Sequence, residues 1–167
     1  VPPGVTDGDT LYQFGRDAET DRDVLLAVDV AAGAERWRFD GVETRCGVGL
    51  LDDGRIAAVV EADDEADRAA SFVVLDAESG AVDASADWVD APSTYCRPML
   101  VSGDDVVVAD ALGSLSGWSV AGEPTLAWQT DETADVDDAV VTDAGRIVVH
   151  RRGEGTGVVS AGQLLEG

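Results

Sequence analysis

Apolar and polar residues alternate along most of this chain. In the stretch LLAVDVAAGAERW, which begins at Leu25, the side chains of Leu26, Val28 and Val30 fall on one side of an extended backbone and Ala27 and Asp29 on the other. This is the period of two that marks a strand. Ala31-Ala32-Gly33 then reads as a tight turn. After it, Arg36-Trp37-Arg38-Phe39 alternates again, with two aromatics on one side and two guanidinium groups on the other, so the pattern predicts a β-hairpin.

Similar apolar strands, each introduced by a Gly or Asp turn, recur as GDTLYQF from Gly8, DGRIAAVV from Asp53, DDVVVAD from Asp104 and AGRIVVH from Ala144. Aligning Leu11, Ile56, Val106 and Ile147 gives spacings of 45, 50 and 41 residues. Periods of this size suggest four-stranded propeller blades rather than helical repeats, because almost no stretch has a helical period and 19 glycines interrupt the chain. The second unit reads as strands at Val48 to Leu51, Arg55 to Glu61, Ser71 to Asp76 and Val82 to Trp88. The third reads as Pro98 to Val101, Asp105 to Asp110, Leu115 to Val120 and Thr125 to Gln129. Two acidic insertions, GRDAETDRD from Gly15 and EADDEADRAAS from Glu61, fall between the second and third strands of consecutive units and read as exposed loops.

With the repeat in place, Ala27-x-Asp29-x-x-x-Gly33-x-x-x-Trp37 resembles the motif of the PQQ-like (quinoprotein-type, WD40-like) β-propellers, usually A-x-D-x-x-T-G-x-x-x-W. The resemblance implies that the Asp and Gly shape the turn between a blade's third and fourth strands and that the Trp packs between neighbouring blades. The second unit keeps Asp76 and Gly80 but has Ala84 where the Trp should stand, with Trp88 four residues late. The third has Ser119 in place of the Asp, then Gly122 and, after an insertion, Trp128. The resemblance covers residues 9 to 130.

The expected fold is therefore all-β: propeller blades of four antiparallel strands, about three complete blades plus partial terminal blades, in units at approximately 1–40, 41–90, 91–130 and 131–167. The first unit leaves little room for a strand before Leu11, and the fourth lacks a Gly-x-x-x-Trp hairpin after Val159. The 167 residues suit a single domain, either self-contained or part of a larger propeller of roughly six to eight blades. Missing strands supplied by a partner chain, a four-bladed ring and a two-sheet β-sandwich are the alternatives.

Charge narrows the function classes. The chain has 34 acidic and 11 basic residues, a formal charge of −23, no Lys and no Asn. Nucleic acids and anionic lipid surfaces bind through Lys and Arg clusters with counterion release, so neither is an expected partner. A halophile's carboxylated surface and a GC-rich genome both account for this composition. No apolar run approaches the ~20 residues needed to span a bilayer, and the opening VPPGVTDGDT has no leader-like pattern.

Cys46 lies 10 residues before Ile56 and Cys96 lies 10 residues before Val106, equivalent places in adjacent units. They form a candidate structural disulfide, closing a loop of ~50 residues for about 4 kcal/mol in the chain-entropy model. A bridge would imply an oxidising, extracytoplasmic location. Two buried thiols are the alternative.

Catalytic chemistry finds little support in the pattern. His150, the single histidine, stands at a strand end beside Arg151 and Arg152, and no nucleophile elbow of the G-x-S-x-G type supports a Ser-His-Asp arrangement around it. The pairs Asp52-Asp53, Asp104-Asp105 and Asp137-Asp138 lead into turns, where carboxylates bond turn amides. No EF-hand loop, P-loop or dinucleotide fingerprint is present. No catalytic, cofactor-binding or metal-binding residue is assigned, and no cofactor is expected. Some members of the resembled family bind pyrroloquinoline quinone with calcium and oxidise alcohols or sugars; others are scaffold subunits or sensor domains. The expected function is a non-catalytic binding or scaffold module, extracytoplasmic, whose partner is a protein, a surface ligand or the remaining blades of a larger propeller. A fragment of a quinone-dependent dehydrogenase and a structural piece of a cell-envelope assembly are the alternatives.

Overall fold

The computed structural model describes residues 4–40, 46–61, 70–88, 91, 96, 99–109, 114–130, 136–141, 146–151, 155–160 and 163–165. Within them, consecutive strands form four antiparallel sheets of four strands each. The first sheet is β1 (Val5–Thr6), β2 (Thr10–Arg16), β3 (Asp23–Asp29) and β4 (Glu35–Asp40). The second is β5 (Gly49–Leu50), β6 (Arg55–Glu61), β7 (Ala70–Asp76) and β8 (Val82–Trp88). The third is β9 (Leu100–Ser102), β10 (Asp105–Ala109), β11 (Leu115–Ser119) and β12 (Thr125–Gln129). The fourth is β13 (Val136–Val141), β14 (Ile147–Arg151), β15 (Gly155–Ser160) and β16 (Gln163–Leu165).

The first strands of successive sheets lie beside one another, β1 by β5, β5 by β9 and β9 by β13. This contact stacks the sheets face to face and explains a departure from simple alternation in the middle of the chain. A strand with a sheet on both sides must be apolar on both faces. In β6, Ile56 and Ala58 pack toward the first sheet and Ala57 and Val59 toward the third, and all four are buried. In β7, Val73 and Leu75 take the first side and Phe72 and Val74 the second. The outer strands β4 and β8 face water, and alternation returns. β4 buries Trp37, half-buries Phe39 and exposes Arg36 and Arg38, the split expected from sequence.

Two apolar clusters result, one between the first and second sheets and one between the second and third. Full burial of a side chain such as Ile56 or Leu75 is worth about 1.5–3 kcal/mol, and these interfaces repeat that gain along the stack.

The terminal units differ from the partial blades expected. The first has an opening strand because Asp7 makes the preceding turn short. Its Oδ1 accepts the amide of Thr10 at 2.8 Å and that of Asp9 at 3.2 Å, and Gly8 takes a φ of 103°. Two residues before that turn suffice for Val5 to pair with Tyr12 and Thr6 with Leu11. The fourth unit closes with β16, whose Leu165 lies opposite Val158. Neither β1 nor β16 is long enough to carry a period. The expected start of the third unit at Pro98 lies outside the described residues, as does the second acidic insertion between 62 and 69.

Candidate functional site

The motif residues converge on the joint between the first and second sheets. In the β3–β4 hairpin, Asp29 Oδ1 accepts the Ala32 amide at 2.8 Å, the Asp29 carbonyl accepts the Gly33 amide at 2.8 Å, and Gly33 has a φ of 63°. The β7–β8 hairpin repeats this: Asp76 Oδ1 accepts the Ser79 amide at 2.8 Å and its hydroxyl at 2.5 Å, the Asp76 carbonyl accepts the Gly80 amide at 2.8 Å, and Gly80 has a φ of 71°. Only glycine takes that left-handed backbone at little cost. Ser119 cannot supply a carboxylate, and Gly122 is not among the glycines with positive φ. The third hairpin is thus built without the Asp-to-Gly turn.

Each hairpin carries a register shift at the same place. Ala27 lies opposite Trp37 and the shift follows; Val74 lies opposite Ala84 and Gly117 opposite Trp128, again followed by a shift. The extra residue seen before Trp128 in the sequence is taken up so that Trp128 keeps Trp37's place. Sizes across the pair are complementary: small with Trp in the first and third sheets, Val with Ala in the second. At Gly117 even a Cβ would collide with the Trp128 indole.

Trp37 reaches out of its own sheet. Its Nε1 donates to the Ala77 carbonyl of the second sheet at 2.9 Å, and its ring covers Gly80 so closely that a Cβ there would lie 2.7 Å from ring carbons. Tyr12 lies 5.9 Å from Trp37 between ring centroids; its hydroxyl donates to Asp7 at 2.9 Å and stands 3.5 Å from the Ala77 carbonyl. Burial, and then the bond to Asp7, raises the Tyr12 phenol's pKa, so it stays a donor.

The next joint uses different parts. With Ala84 in the tryptophan's place, Trp118 arrives from the third sheet and stacks on Phe72 at 4.4 Å, and Trp88 meets Trp118 edge-on at 5.2 Å. Trp88 Nε1 donates to Gln129 at 3.3 Å. Trp118 Nε1 is buried with no hydrogen-bond partner among the described residues. A second inter-sheet hydrogen bond here comes from Arg55, whose Nη2 donates to the Val120 carbonyl at 2.9 Å while its Nε pairs with Asp53 at 2.6 Å. By register, Ala77 and Val120 are equivalent: each follows the last residue of its sheet's third strand. Both joints therefore present the same carbonyl to the preceding sheet, met once by an indole and a phenol and once by a guanidinium. Sequence reading missed Tyr12, Arg55 and Trp118. The recurrence of Gly54-Arg55-Ile56 as Gly145-Arg146-Ile147 was the available signal.

The cysteines expected to pair are joined: a Cys46–Cys96 disulfide ties the approach to the second sheet to the approach to the third, with Cα atoms 4.3 Å apart. His150 is exposed on β14, opposite Thr156.

Electrostatics follow the turns. Asp7, Asp17, Asp29, Glu35 and Asp76 are all held below the usual carboxylate range. For Asp7 and Asp17 the main cause is a backbone amide, from Thr10 and Thr20; for Asp29 it is Arg36, for Glu35 Arg38 and for Asp76 the Ser79 hydroxyl. Arg36 bridges Asp29 at 2.7 Å and Thr10 at 2.8 Å, and Arg38 joins Asp17 and Glu35, each at 2.7 Å. Among the described residues no cluster of three or more His, Cys, Asp or Glu side chains is placed to hold a metal ion.

No family model matches the sequence, and no curated protein matches it. Solved structures do. BamB from Moraxella catarrhalis is similar at a TM-score of 0.68 with 17% identity over 98% of this chain and 45% of that one. KlAtg21 in complex with the coiled-coil of AgAtg16 gives 0.63, with 9% identity over 94% and 51%. A europium-containing methanol dehydrogenase gives 0.60, with 13% identity over 97% and 40%. The likeness is one of fold and shows a propeller-type arrangement of sheets. The chain spans about half the length of these structures.

Proposed function

We propose that this chain is a non-catalytic run of PQQ-like propeller blades that binds or scaffolds a protein partner or a surface ligand outside the cytoplasm. The observation that carries this reading is the use to which its polar side chains are put. Catalytic acids and bases are tuned toward neutrality, whereas among the described residues every carboxylate with a resolved shift moves the other way, held ionised by turn amides, hydroxyls and arginines. The motif residues Ala27, Asp29, Gly33, Trp37, Asp76, Gly80 and Trp128 have architectural roles in this reading, Gly122 does not repeat the turn of Gly33 and Gly80, and what remains to meet a partner is an acidic surface of loops and sheet edges. A net charge of −23 favours a basic partner and disfavours nucleic acid.

Two further observations support the reading. The Cys46–Cys96 bridge suits an oxidising compartment. A fold neighbour, KlAtg21, is in complex with a coiled coil, a precedent for a protein partner of a protein of this fold.

The test sets binding against chemistry. The purified chain is incubated with pyrroloquinoline quinone and calcium, its absorption spectrum recorded and dye-linked alcohol oxidation assayed. In parallel it is crosslinked in a cell-envelope extract. A saturable protein crosslink with no bound chromophore is the expected result; a retained chromophore with alcohol turnover would overturn the proposal in favour of a dehydrogenase fragment.

A further inference from the structure

Register makes the sheets directly comparable, and the comparison singles out one face. In the second sheet the face turned to the preceding sheet carries Ile56, Val73 and Leu75, at 0%, 4% and 0% exposure; in the third it carries Val106, Trp118 and Val120, at 0%, 1% and 0%. The same positions in the first sheet are Leu11, Leu26 and Val28, all half-buried, and Val30, the counterpart of Val120, at 55%. Gly33 repeats the turn of Gly80 but has nothing within 4 Å of where its Cβ would be, as Gly122 has nothing. Apart from Val24, buried at 2% at the far end of β3, the first sheet therefore presents a receiving face that no sheet covers among the described residues.

The fourth sheet carries the complement. Gly145-Arg146-Ile147 aligns with Gly54-Arg55-Ile56, and Arg55 is the residue that donates to the following sheet's carbonyl at Val120. On the face that would meet a following sheet, Val140 is 51% exposed and its cross-strand partner Val148 is half-buried. Leu165 stands where a tryptophan would need a covered glycine, which agrees with the open site at Gly33. Both ends thus match the joint between the second and third sheets, where Ala84 rather than a tryptophan holds the motif position.

We propose that the face formed by Leu11, Leu26, Val28 and Val30 receives the fourth sheet of a second copy of this chain, with Arg146 donating to the Val30 carbonyl, so that two chains close head to tail into one two-fold ring of eight sheets. The inference rests on reading the chain as propeller blades. Its support is the continuity of these surfaces with the joints inside the chain, since the receiving positions and the Gly-Arg-Ile turn repeat those that meet between the second and third sheets. A closed two-fold arrangement satisfies both ends at once, where an open head-to-tail contact would continue into a filament. Each copy carries −23, so association is opposed by charge and driven by apolar burial. Raising salt shortens the screening length from ~10 Å at 0.1 M to ~3 Å at 1 M and should strengthen it.

The experiment is sedimentation velocity on the whole chain across concentration and salt. A species of twice 17.3 kDa, favoured by salt, is expected. Val30→Asp, at a position exposed in the single chain, should weaken dimerisation by ~100-fold or more, since it buries an unpaired charge in each of two joints, while circular dichroism and the Cys46–Cys96 bridge stay unchanged. Arg146→Ala should weaken it less. A folded monomer under all conditions, an open polymer, or a dimer indifferent to Val30→Asp would overturn the proposal. A folded monomer that still crosslinks a protein partner would leave the binding-module reading standing, whereas a chain without strand signal would remove both.

Discussion

Gly33 and Gly80 adopt the same backbone conformation in equivalent turns, yet only Gly80 lies under an indole ring. Alanine at Gly33 meets the left-handed backbone cost of about 1–2 kcal/mol. At Gly80 it also brings a Cβ against Trp37, and overpacking of this kind adds about 1–3 kcal/mol. Urea midpoints of Gly33→Ala and Gly80→Ala should separate accordingly, and equal losses would mean that the ring is not seated there. The turn carboxylates give a second residue-scale prediction. Asp29 and Asp76 have folded pKa values below their ordinary ones, so in acid the unfolded chain binds more protons and stability rises with pH. Their contribution is complete above the usual Asp range near ~4 and is lost as pH falls through the lower folded values. Replacing both by Asn should flatten the acid limb of tryptophan fluorescence against pH below that range and leave the neutral baseline slope unchanged.

Among elements, the hairpins were the most legible from sequence. β6, β8 and β12 match their expected bounds, and β4 buries the aromatic side of an alternation visible in four residues. The short opening and closing strands, β1 and β16, were not legible, because two or three residues have no period and pair only once the neighbouring strand exists. Equally hidden were Tyr12, Arg55 and Trp118, whose partners belong to the next or preceding sheet. Local spacing displays turns; it cannot display a joint whose two sides lie 40 to 65 residues apart. Ala84 shows the limit of reading a motif position by position, since Val74 opposite it and Trp118 across the joint occupy the room a Trp would need. Ala84→Trp should therefore destabilise the fold, by about 1–3 kcal/mol. Pairing it with Val74→Ala should recover part of that, a coupling measurable by a double-mutant cycle. The Cys46–Cys96 link closes 50 residues. Cys46→Ser with Cys96→Ser should lower stability by about 4 kcal/mol, read from urea unfolding against the oxidised parent.

For the whole molecule, like-charge repulsion is the force that local pairing leaves unanswered. Arg16, Arg36, Arg38 and Arg55 pair locally with Asp17, Asp21, Asp29, Glu35 and Asp53, and exposed pairs of this kind contribute about 0–1 kcal/mol each. They leave a chain at −23 that repels itself. Screening should raise the melting temperature between low and molar salt, because it relieves many repulsions and weakens few attractions. Calorimetry of the Val30→Asp variant keeps this intramolecular effect apart from association, and a fall in melting temperature with salt would show that the local pairs outweigh the repulsion.

The indole of Trp37 and the bare backbone of Gly80 are specified in different repeats, so neither repeat is a self-sufficient module. A chimera cut cleanly at repeat boundaries would send the tryptophan to a recipient lacking its glycine, or leave the glycine with nothing above it. The transferable unit is the seam: a graft should begin in the middle of one sheet and end in the middle of the next.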